Sequence, residues 1–445
     1  MNRKEIHMLI KKTLAYLCAS AIMLTSIPSA FAEEKLNQFK PTDDNVKLIG
    51  RTYYYNNEEL WFGLTDSGIS FDFTGKYAEM NLMGDSGAFG EENGARIKVY
   101  ADGKEVYDKC LTEYPFETIK VEFDSEGEHT VKLLKVSECA NNTVLLENIF
   151  VDGDSIKPSG SGSHTIEFVG DSITCGYGVD AESQNEHFLT STEDGTKTYA
   201  YKTAQHFNAD YSMVSYSGCG AVSGYTNESK PNTLNLMKDF YELVGHSFAN
   251  YSGTSIDSLS WDFKQQPELI VVNLGTNDAS YTKGNAERID EFKSAYTDLL
   301  KQIRSKNPDA ELLCILGLMG QDLYPAIEEA VESYKTDTGD SKINTFMLDP
   351  IDSANEGYGA DYHPKEASHE RAANALIGRI EELYGWTDHD PAMVQTVKTS
   401  ESADSSSSSE SEKSSGVLST VLICAGGVCL AAAVVIIVVK KKKKA

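Results

Sequence analysis

A serine and a distant histidine are the residues of this chain best suited to nucleophilic chemistry. Ser172 lies in Val169-Gly170-Asp171-Ser172-Ile173-Thr174, where an apolar run ends in a glycine turn. A serine hydroxyl is a weak nucleophile until a base removes its proton, so it needs an imidazole from another part of the chain. Of nine histidines, His363 in Asp361-Tyr362-His363-Pro364 is the best candidate, because it stands just before the last helical pattern. We predict that Ser172 is the nucleophile and His363 the general base. For Gly-Asp-Ser alone, a simple helix-capping turn is the alternative.

Two further segments could stabilise the oxyanion that forms when an ester carbonyl becomes tetrahedral. Tyr216-Ser217-Gly218-Cys219-Gly220 contains small residues that let a backbone N–H approach a ligand, and Leu274-Gly275-Thr276-Asn277-Asp278 follows an apolar run. The backbone N–H groups of Ser172 and Gly218 and the side-chain amide of Asn277 form the predicted oxyanion hole. Loss of one such donor commonly costs about 3 kcal/mol of transition-state stabilisation.

An alternating pattern of apolar residues marks the first of the elements that must position these groups. Between residues 47 and 153, apolar and polar residues alternate in many short segments, for example Ile69, Phe71 and Phe73. Period two with turn signals between the segments predicts strands. Residues 40–158 are therefore predicted to form an antiparallel β-sandwich, a jelly roll, that binds sugar or braces its neighbour. The Gly/Ser composition of segment 159–163 predicts a flexible joint after it.

Residues 164–390 have a different pattern, in which short apolar runs alternate with helical spacing. The runs that predict strands are 166–170, 211–217, 269–274, 312–316 and 343–348, and helical spacing covers 286–306, 324–334 and 365–384. Alternation of strands and helices predicts an α/β domain built on a parallel sheet. The candidate groups should lie on loops at the carboxyl edge of that sheet.

Both ends of the chain predict export and anchoring. Residues 1–32 combine basic residues, an apolar stretch and Ser29-Ala30-Phe31-Ala32, the pattern of a cleaved signal peptide. Residues 397–415 are serine-rich and predict a linker. The uncharged residues 417–439 predict a transmembrane helix, and the lysine-rich tail 440–445 predicts a cytoplasmic end. The expected product is a single-pass cell-surface protein with an extracellular catalytic domain.

Charge and cysteine content exclude several kinds of partner. The formal net charge is -27, and it becomes -35 without the leader, which carries +3, and the tail, which carries +5. Such a surface repels nucleic acid and anionic lipid. Five of the eight cysteines lie between the leader and the apolar end segment, and this odd number argues against a complete disulfide framework. Their spacings form no zinc site, so we expect buried thiols, with Cys110 and Cys139 the best pair if a bridge forms.

The four segments, taken in order, resemble the sequence blocks of the SGNH hydrolase superfamily, which is also known as the GDSL hydrolases. The matching blocks are Gly170-Asp171-Ser172, Gly218, Gly275-Thr276-Asn277-Asp278 and His363-Pro364. The two-part arrangement and the segments Leu60-Trp61-Phe62 and 68–73 are most similar to carbohydrate esterase family 2. The resemblance implies a flavodoxin-like α/β domain and an acetylxylan esterase activity on xylan- or mannan-type polysaccharide. Acyl transfer through serine and histidine needs no metal or other cofactor.

The segment around His363 departs from the superfamily in one respect. Members usually have an aspartate three residues before the histidine, but this position is Ala360, and Asp361 stands two residues before it. Side chains at that spacing project differently, so Asp361 could fail to reach the imidazole. Family 2 esterases use a Ser–His dyad oriented by the carbonyl of the aromatic residue before the histidine, and the resemblance gives that role to Tyr362. Asp171, Asp361 and Tyr362 are therefore the supporting candidates, and the choice between dyad and triad stays open.

Three functions remain open at this point: a carbohydrate O-deacetylase, an SGNH lipase or thioesterase acting on lipid acyl esters, and a non-enzymatic glycan-binding surface protein. Long aliphatic side chains around the cleft would favour the lipid, and an open cleft with aromatic edges would favour sugar. Trp261, Tyr177 and Tyr225 either stack on a sugar ring or simply pack. His369 is expected to be a surface or cap residue, and Cys175 and Cys219 are expected to pack beside the site.

Overall fold

The computed structural model describes residues 35–387, which contain two β-sheets. The strands of the first sheet are β1 (Asn37–Phe39), β2 (Lys47–Ile49), β3 (Thr52–Tyr55), β4 (Glu59–Phe62), β5 (Ser67–Gly84), β6 (Arg96–Ala101), β7 (Lys104–Cys110), β8 (Phe116–Lys135), β9 (Val144–Val151) and β10 (Ile156–Pro158). The strands of the second are β11 (His164–Gly170), β12 (Ala209–Ser215), β13 (Leu269–Asn273), β14 (Glu311–Leu318) and β15 (Ile343–Pro350). We call residues 37–158 the β-domain and residues 164–384 the α/β domain.

Several predictions concern residues beyond this range. The predicted leader 1–32, linker 397–415, transmembrane helix 417–439 and tail 440–445 lie outside the described residues. Between residues 35 and 387, no helix is both long and apolar enough to cross a membrane.

The sheet of the β-domain is antiparallel, as predicted. Its main path is β3-β4-β9-β5-β8-β6-β7, and β1, β2 and β10 pair with strands of that path. Strands β5 and β8 pair along most of their length, with a register shift between Gly75 and Tyr77. Ile69, Phe71 and Leu133 point inward from these two strands and are fully buried. Because successive side chains of a strand face opposite sides, this burial produces the alternation in the sequence.

The sheet of the α/β domain has five parallel strands in the order β12-β11-β13-β14-β15. This is the 2-1-3-4-5 order of flavodoxin-like folds, as the resemblance implied. All five residues of β13 are buried, which is typical of a strand covered by helices on both faces. The helices are α1 (Ser172–Cys175), α2 (Tyr199–His206), α3 (Met237–Phe240), α4 (Thr276–Thr282), α5 (Ala286–Lys306), α6 (Tyr324–Thr338) and α7 (Glu366–Tyr384).

The long helices agree with their predicted bounds better than the short ones. Helix α5 has the predicted bounds, and α7 begins one residue later than predicted. Helix α6 continues past its predicted end to Thr338, because its stop signal is Gly339 in the left-handed conformation, with φ 72°. The sequence pattern does not predict α2, which has only eight residues and is capped by Thr198.

The two domains share a buried core. Trp61, Leu64 and Leu145 of the β-domain lie in the same hydrophobic cluster as Val214 and Val272 of the α/β domain. Fully buried apolar contacts of this kind resist separation in water. The β-domain therefore braces its neighbour, which is one of the two roles considered for it.

A buried ion pair also joins the domains. The Nη2 atom of Arg51 lies 3.1 Å from Oε2 of Glu167 in β11, and the hydroxyl of Tyr241 donates to the other carboxylate oxygen at 2.9 Å. Both charged side chains are almost completely buried. Removal of one partner would leave an uncompensated buried charge, so the pair fixes how the domains fit together.

The cysteines of the described residues act as small buried side chains. All five are buried and free: Cys110, Cys139, Cys175, Cys219 and Cys314. The bridge considered between Cys110 and Cys139 is absent, and the expectation of buried thiols is confirmed.

Candidate active site

Ser172 begins the short helix α1 directly after strand β11. Asp171 caps this helix, and its carboxylate accepts a hydrogen bond from the Ile173 N–H at 3.0 Å. Gly170 has no room for a side chain, since a Cβ there would lie 2.1 Å from Oγ1 of Thr174. This close packing of strand, cap and helix holds Ser172 at the carboxyl edge of the sheet.

His363 lies beside Ser172, although 191 positions separate the two residues. The Nε2 atom of His363 is 2.8 Å from Oγ of Ser172, and its Nδ1 is 3.1 Å from the carbonyl oxygen of Ala360. A carbonyl oxygen can only accept, so Nδ1 carries the proton and Nε2 accepts from the serine hydroxyl. The pair has the hydrogen-bond geometry that proton transfer requires.

The prediction that the Tyr362 carbonyl orients the imidazole is wrong, because the Ala360 carbonyl occupies that place. Residues Ala360–Tyr362 form a tight turn in which Asp361 and Tyr362 both have positive φ, 48° and 65°. This turn brings the Ala360 carbonyl to the Nδ1 atom and to the backbone N–H of His363, which donates to it at 3.0 Å. The Tyr362 side chain is turned outward and is 54% exposed.

Asp361 contacts a tyrosine instead of the imidazole. Its Oδ2 accepts a hydrogen bond from the Tyr177 hydroxyl at 2.8 Å. The Tyr177 ring stacks on the His363 ring, with centroids 4.1 Å apart, and on the Phe188 ring, with centroids 4.3 Å apart. From the sequence, Tyr177 was a candidate only for stacking on a sugar ring. In the structure it packs against the predicted base, His363, and hydrogen-bonds to the turn that precedes His363.

The surroundings of His363 favour its neutral form. Burial lowers the pKa of His363 to about 4, while the Ala360 carbonyl and the charge of Asp361 act in the opposite direction. A neutral imidazole with a free Nε2 lone pair is the form that can accept a proton from serine. The environment thus keeps the His363 imidazole neutral well below neutral pH.

The three predicted oxyanion donors also lie close together. Asn277 Nδ2 donates to Asp171 Oδ2 at 3.1 Å and to the carbonyl of Cys219 at 2.9 Å, so it links the turn before Ser172 to the loop of Gly218. Gly218 has φ 75°. Within residues 35–387, neither the Ser172 N–H nor the Gly218 N–H donates to a protein group. These two N–H groups are free for a ligand, whereas an oxyanion would share the Asn277 amide with its two present acceptors.

Asp278 is a residue of the site to which the sequence reasoning assigned no role. Its carboxylate accepts hydrogen bonds from the backbone N–H groups of Ala221, Val222 and Ser223, at 3.0, 2.7 and 3.0 Å from Oδ1. It thereby holds the loop that begins with Gly218. Its position beside Asn277 in Gly275-Thr276-Asn277-Asp278 is the available signal, but a carboxylate that binds backbone N–H groups leaves no sequence pattern of its own.

Asp171 and Asp278 are both completely buried carboxyl groups near the serine. Burial raises the pKa of Asp171 to about 7 and that of Asp278 to about 6, and hydrogen bonds from backbone N–H groups oppose the shift in each case. Both groups are acceptors that hold other parts of the site. Asp171, a supporting candidate from the sequence, therefore hydrogen-bonds to Asn277 and the start of α1, whereas the His363 ring hydrogen-bonds to Ala360 and Ser172.

The expectation that His369 lies at the surface is wrong. His369 is 1% exposed, its Nδ1 accepts a hydrogen bond from the Tyr199 N–H at 3.2 Å, and burial lowers its pKa to about 3. The Tyr199 hydroxyl in turn lies 2.8 Å from the Thr174 hydroxyl in α1. His369 is buried because its face of helix α7 packs against helix α2, and the sequence pattern does not predict helix α2.

The aromatic candidates lie in different places. Tyr225 is 42% exposed, and its backbone N–H donates to the carbonyl of Gly218 at 2.9 Å, so it lies at the rim of the site. Trp261 instead lines a groove of about 650 Å³ near the amino ends of β11 and β12, together with Thr165 and Ala209. Trp261 also packs against the shared core, and the Arg51 guanidinium lies 5.6 Å from its ring centroid, so packing is the better explanation for Trp261.

Three potential metal ligands lie close together behind the site. The ligand atoms of Glu138, Cys175 and Glu193 are all within 4.8 Å of one another, and the side chains are buried. Burial raises the pKa of all three groups. These groups also contact one another: the Cys175 thiol lies 3.9 Å from Glu138 Oε2, and Glu193 Oε2 accepts a hydrogen bond from the Glu138 N–H at 2.8 Å.

The comparison with protein families gives the class of the α/β domain. Residues 168–371 match the GDSL-like lipase/acylhydrolase family, and this range contains Ser172, Gly218, Asn277 and His363. The chain thus carries a GDSL-like hydrolase domain. Residues 48–159 match the carbohydrate esterase 2 N-terminal family. With both domains in this order, the chain has the two-domain architecture of carbohydrate esterase family 2.

Individual relatives agree with these family matches. The chain is 29% identical over 355 residues to the cellulase/esterase CelE of Acetivibrio thermocellus, a match that covers 78% of this chain and 40% of that protein. It thus spans about two fifths of the length of that relative. It is 22% identical over 360 residues to an acetylxylan esterase/glucomannan deacetylase of Cellvibrio japonicus, which covers 78% of this chain and 90% of that protein.

Solved structures show the same arrangement. A family two carbohydrate esterase from Clostridium thermocellum, in complex with cellohexaose, superposes with a TM-score of 0.66 at 27% identity, covering 77% of this chain and 100% of that chain. An acetyl xylan esterase from the rumen bacterium Butyrivibrio proteoclasticus superposes with a TM-score of 0.70 at 25% identity, covering 79% of this chain and 99% of that chain.

Proposed function

We propose that this protein is a serine esterase that removes O-acetyl groups from xylan- or mannan-type polysaccharide through an acetyl-Ser172 intermediate. The observation that carries the proposal is the 2.8 Å contact between Ser172 Oγ and His363 Nε2, next to two unengaged backbone N–H groups. The polysaccharide substrate is supported by the relatives, which include an acetylxylan esterase/glucomannan deacetylase and an esterase structure that holds cellohexaose.

The proposed reaction is acyl transfer in two halves. Ser172 Oγ attacks the acetyl carbonyl carbon while its proton passes to His363 Nε2, and the N–H groups of Ser172 and Gly218 stabilise the oxyanion. The imidazolium then protonates the sugar oxygen as the ester bond breaks, which leaves acetyl-Ser172. A water molecule, deprotonated by His363, attacks this ester, and acetate leaves as Ser172 regains its proton.

His363 acts in this scheme as one half of a dyad. The Ala360 carbonyl holds the tautomer that presents Nε2 to Ser172, a role that a carboxylate has in triads. A neutral carbonyl stabilises the imidazolium less than a carboxylate does, and Asp361 contributes only at longer range. Asp171 and Asp361 are therefore proposed to support the site through Asn277 and Tyr177, and not through the imidazole.

The sugar substrate is favoured over a lipid acyl ester by the rim of the site. Tyr362 and Tyr225 are 54% and 42% exposed, and aromatic faces of this kind suit a pyranose ring. Hydrolysis of esters with long acyl chains faster than acetyl esters would favour the lipase or thioesterase alternative. Glycan binding without any hydrolysis would favour the third alternative, a surface binding protein.

The test is acetate release from acetylated xylan, acetylated glucomannan and an aryl acetate. Ser172→Ala and His363→Ala should each lose several orders of magnitude in kcat, because the triad and dyad members of serine hydrolases act as a unit. Ser212→Ala is a matched control, since Ser212 is a serine on strand β12 outside the site. Normal acetate release by Ser172→Ala would refute the mechanism.

We also propose the cellular placement and the fold of the β-domain. The leader pattern of residues 1–32 and the uncharged residues 417–439 support export and membrane anchoring. A chain that ends before residue 417 should then be released into the medium.

For the β-domain, β5 pairs with β2 and β10 along its first half and with β9 along its second half. This change of partners along one long strand supports two packed layers, a jelly roll.

A further inference from the structure

We propose that Glu138 of the β-domain is a positioning residue for the oxyanion hole of the α/β domain. The inference rests on the proposed esterase function, because it concerns the Gly218 N–H group. It assigns the β-domain a direct part in the active site, beyond bracing and beyond any binding of sugar.

The first observation is the hydrogen bond that Glu138 makes across the domain boundary. Glu138 lies three residues after the end of β8 and is 2% exposed. Its Oε2 accepts a hydrogen bond from the backbone N–H of Ser217 at 2.8 Å. Ser217 directly precedes Gly218, so this carboxyl group holds the peptide next to the proposed oxyanion donor.

The second observation is that the same oxygen atom also contacts the helix of the nucleophile. The thiol of Cys175, in α1 with Ser172, lies 3.9 Å from Glu138 Oε2 and 3.3 Å from Oγ of Ser215. One carboxyl oxygen of the β-domain thus touches the two segments that carry the free N–H groups of Ser172 and Gly218.

The third observation is that Glu138 is itself held firmly. The Nζ atom of Lys135 donates to the carbonyl oxygens of Ser137 and Glu138, at 2.8 and 2.9 Å, and the Glu138 N–H donates to Oε2 of Glu193 at 2.8 Å. Lys135 and Glu193 are fully buried. These bonds fix the backbone of Glu138, and its carboxyl group is buried at the end of that fixed backbone, so it can restrain the group that donates to it.

The Gly218 loop is then held at three points. Asn277 holds the Cys219 carbonyl and Asp278 holds the N–H groups of residues 221–223, and both belong to the α/β domain. Glu138 holds the entry to the loop at Ser217. Oxyanion stabilisation depends on donors that are already in place before the charge develops, so a loose entry should weaken the transition state more than substrate binding.

The test compares three substitutions of Glu138 with a matched control. Glu138→Gln keeps a carbonyl oxygen that can accept from Ser217, whereas Glu138→Ala removes the acceptor and Glu138→Asp withdraws it by one methylene. The control is Glu167→Gln, which alters a different buried carboxylate that bridges the domains. Aryl acetate hydrolysis gives kcat and KM, thermal unfolding gives stability, and hydrogen exchange reports protection of the Ser217 amide.

We expect Glu138→Ala and Glu138→Asp to lower kcat about 10- to 100-fold with KM changed less than threefold, and to lose protection at Ser217. Glu138→Gln should stay within about threefold of wild type, and Glu167→Gln should lower stability without lowering kcat. Inactivation by diethyl p-nitrophenyl phosphate should slow in parallel, since its phosphoryl oxygen occupies the oxyanion position.

Two results would overturn the inference: wild-type kcat in both Glu138→Ala and Glu138→Asp, or a loss of kcat in Glu167→Gln equal to theirs. Failure of the proposed function is distinguishable, because the wild-type protein would then release no acetate and would not react with the phosphate ester.

Discussion

The low pKa of His363 predicts a catalytic base that stays neutral in acid, and Tyr177 is the residue whose replacement tests the cause. The Tyr177 ring covers the imidazole at a centroid distance of 4.1 Å and contributes to the burial that lowers the pKa to about 4 from an ordinary value of 6.5. Because His363 must be neutral to accept the serine proton, its own titration should lower kcat/KM only as the pH drops through about 4. Asp171 and Asp278, with pKa values of about 7 and about 6, titrate in wild type and in Tyr177 variants alike, so the effect of His363 is read from the ratio of the two proteins at each pH.

The size of the effect follows from the fraction of neutral imidazole. At pH 5, a histidine with a pKa near 4 is about nine-tenths neutral, whereas one with its ordinary pKa is only about 3% neutral. Tyr177→Ala admits water to the ring and should move the acid limb toward the ordinary value. The ratio of kcat/KM in the variant to kcat/KM in wild type should therefore fall by up to roughly 30-fold between pH 8 and pH 5.

The assay is the rate of aryl acetate hydrolysis from pH 3.5 to 8, with circular dichroism at each pH to confirm that the protein is folded. Tyr177→Phe is the matched control: it keeps the stacked ring, loses only the hydroxyl that donates to Asp361, and should keep the low acid limb. A ratio of Tyr177→Ala to wild-type kcat/KM that stays constant between pH 8 and pH 5 would refute the link between ring burial and the base.

Three further predictions follow from other contacts. Asp361→Asn should lower kcat no more than about tenfold, far less than His363→Ala, because the Asp361 carboxylate binds Tyr177 and not the imidazole. Equal losses of steady-state kcat in the two variants would make Asp361 a triad member. Asp278→Ala should lower kcat roughly 10- to 100-fold, because three backbone N–H groups of the Gly218 loop lose their acceptor. It should also raise the rate of hydrogen exchange at residues 221–223, and an unchanged exchange rate would contradict this. Trp61→Ala should destabilise both domains by roughly 3–5 kcal/mol in one coincident transition, and separate transitions in denaturant unfolding would show that the shared core does not couple them.

Much of the fold is predictable because burial leaves a periodic trace. Along β5 from Phe71 to Met83, buried residues alternate with partly or fully exposed ones, whereas the central strand β13 is buried throughout. These two patterns distinguish the antiparallel sheet from the parallel sheet. The junction at Ser172 is also local: Gly170 leaves room for Thr174, and Asp171 caps the helix that follows. The proximity of Ser172 and His363 follows once the strands are known to be parallel.

The sequence by itself determined the residue types that can carry out acyl transfer and the strand ends that present them, because both depend on neighbours along the chain. Only the tertiary structure decided which groups hold those residues in place. Two successive residues with positive φ place the Ala360 carbonyl beside the imidazole. Aspartate tolerates this conformation, but Tyr362 gives no sign of it. His369 is buried because α7 packs on α2, and Glu138 reaches Ser217 across 79 positions. A single buried hydrogen bond between distant residues imposes no periodicity, so the sequence pattern does not predict it.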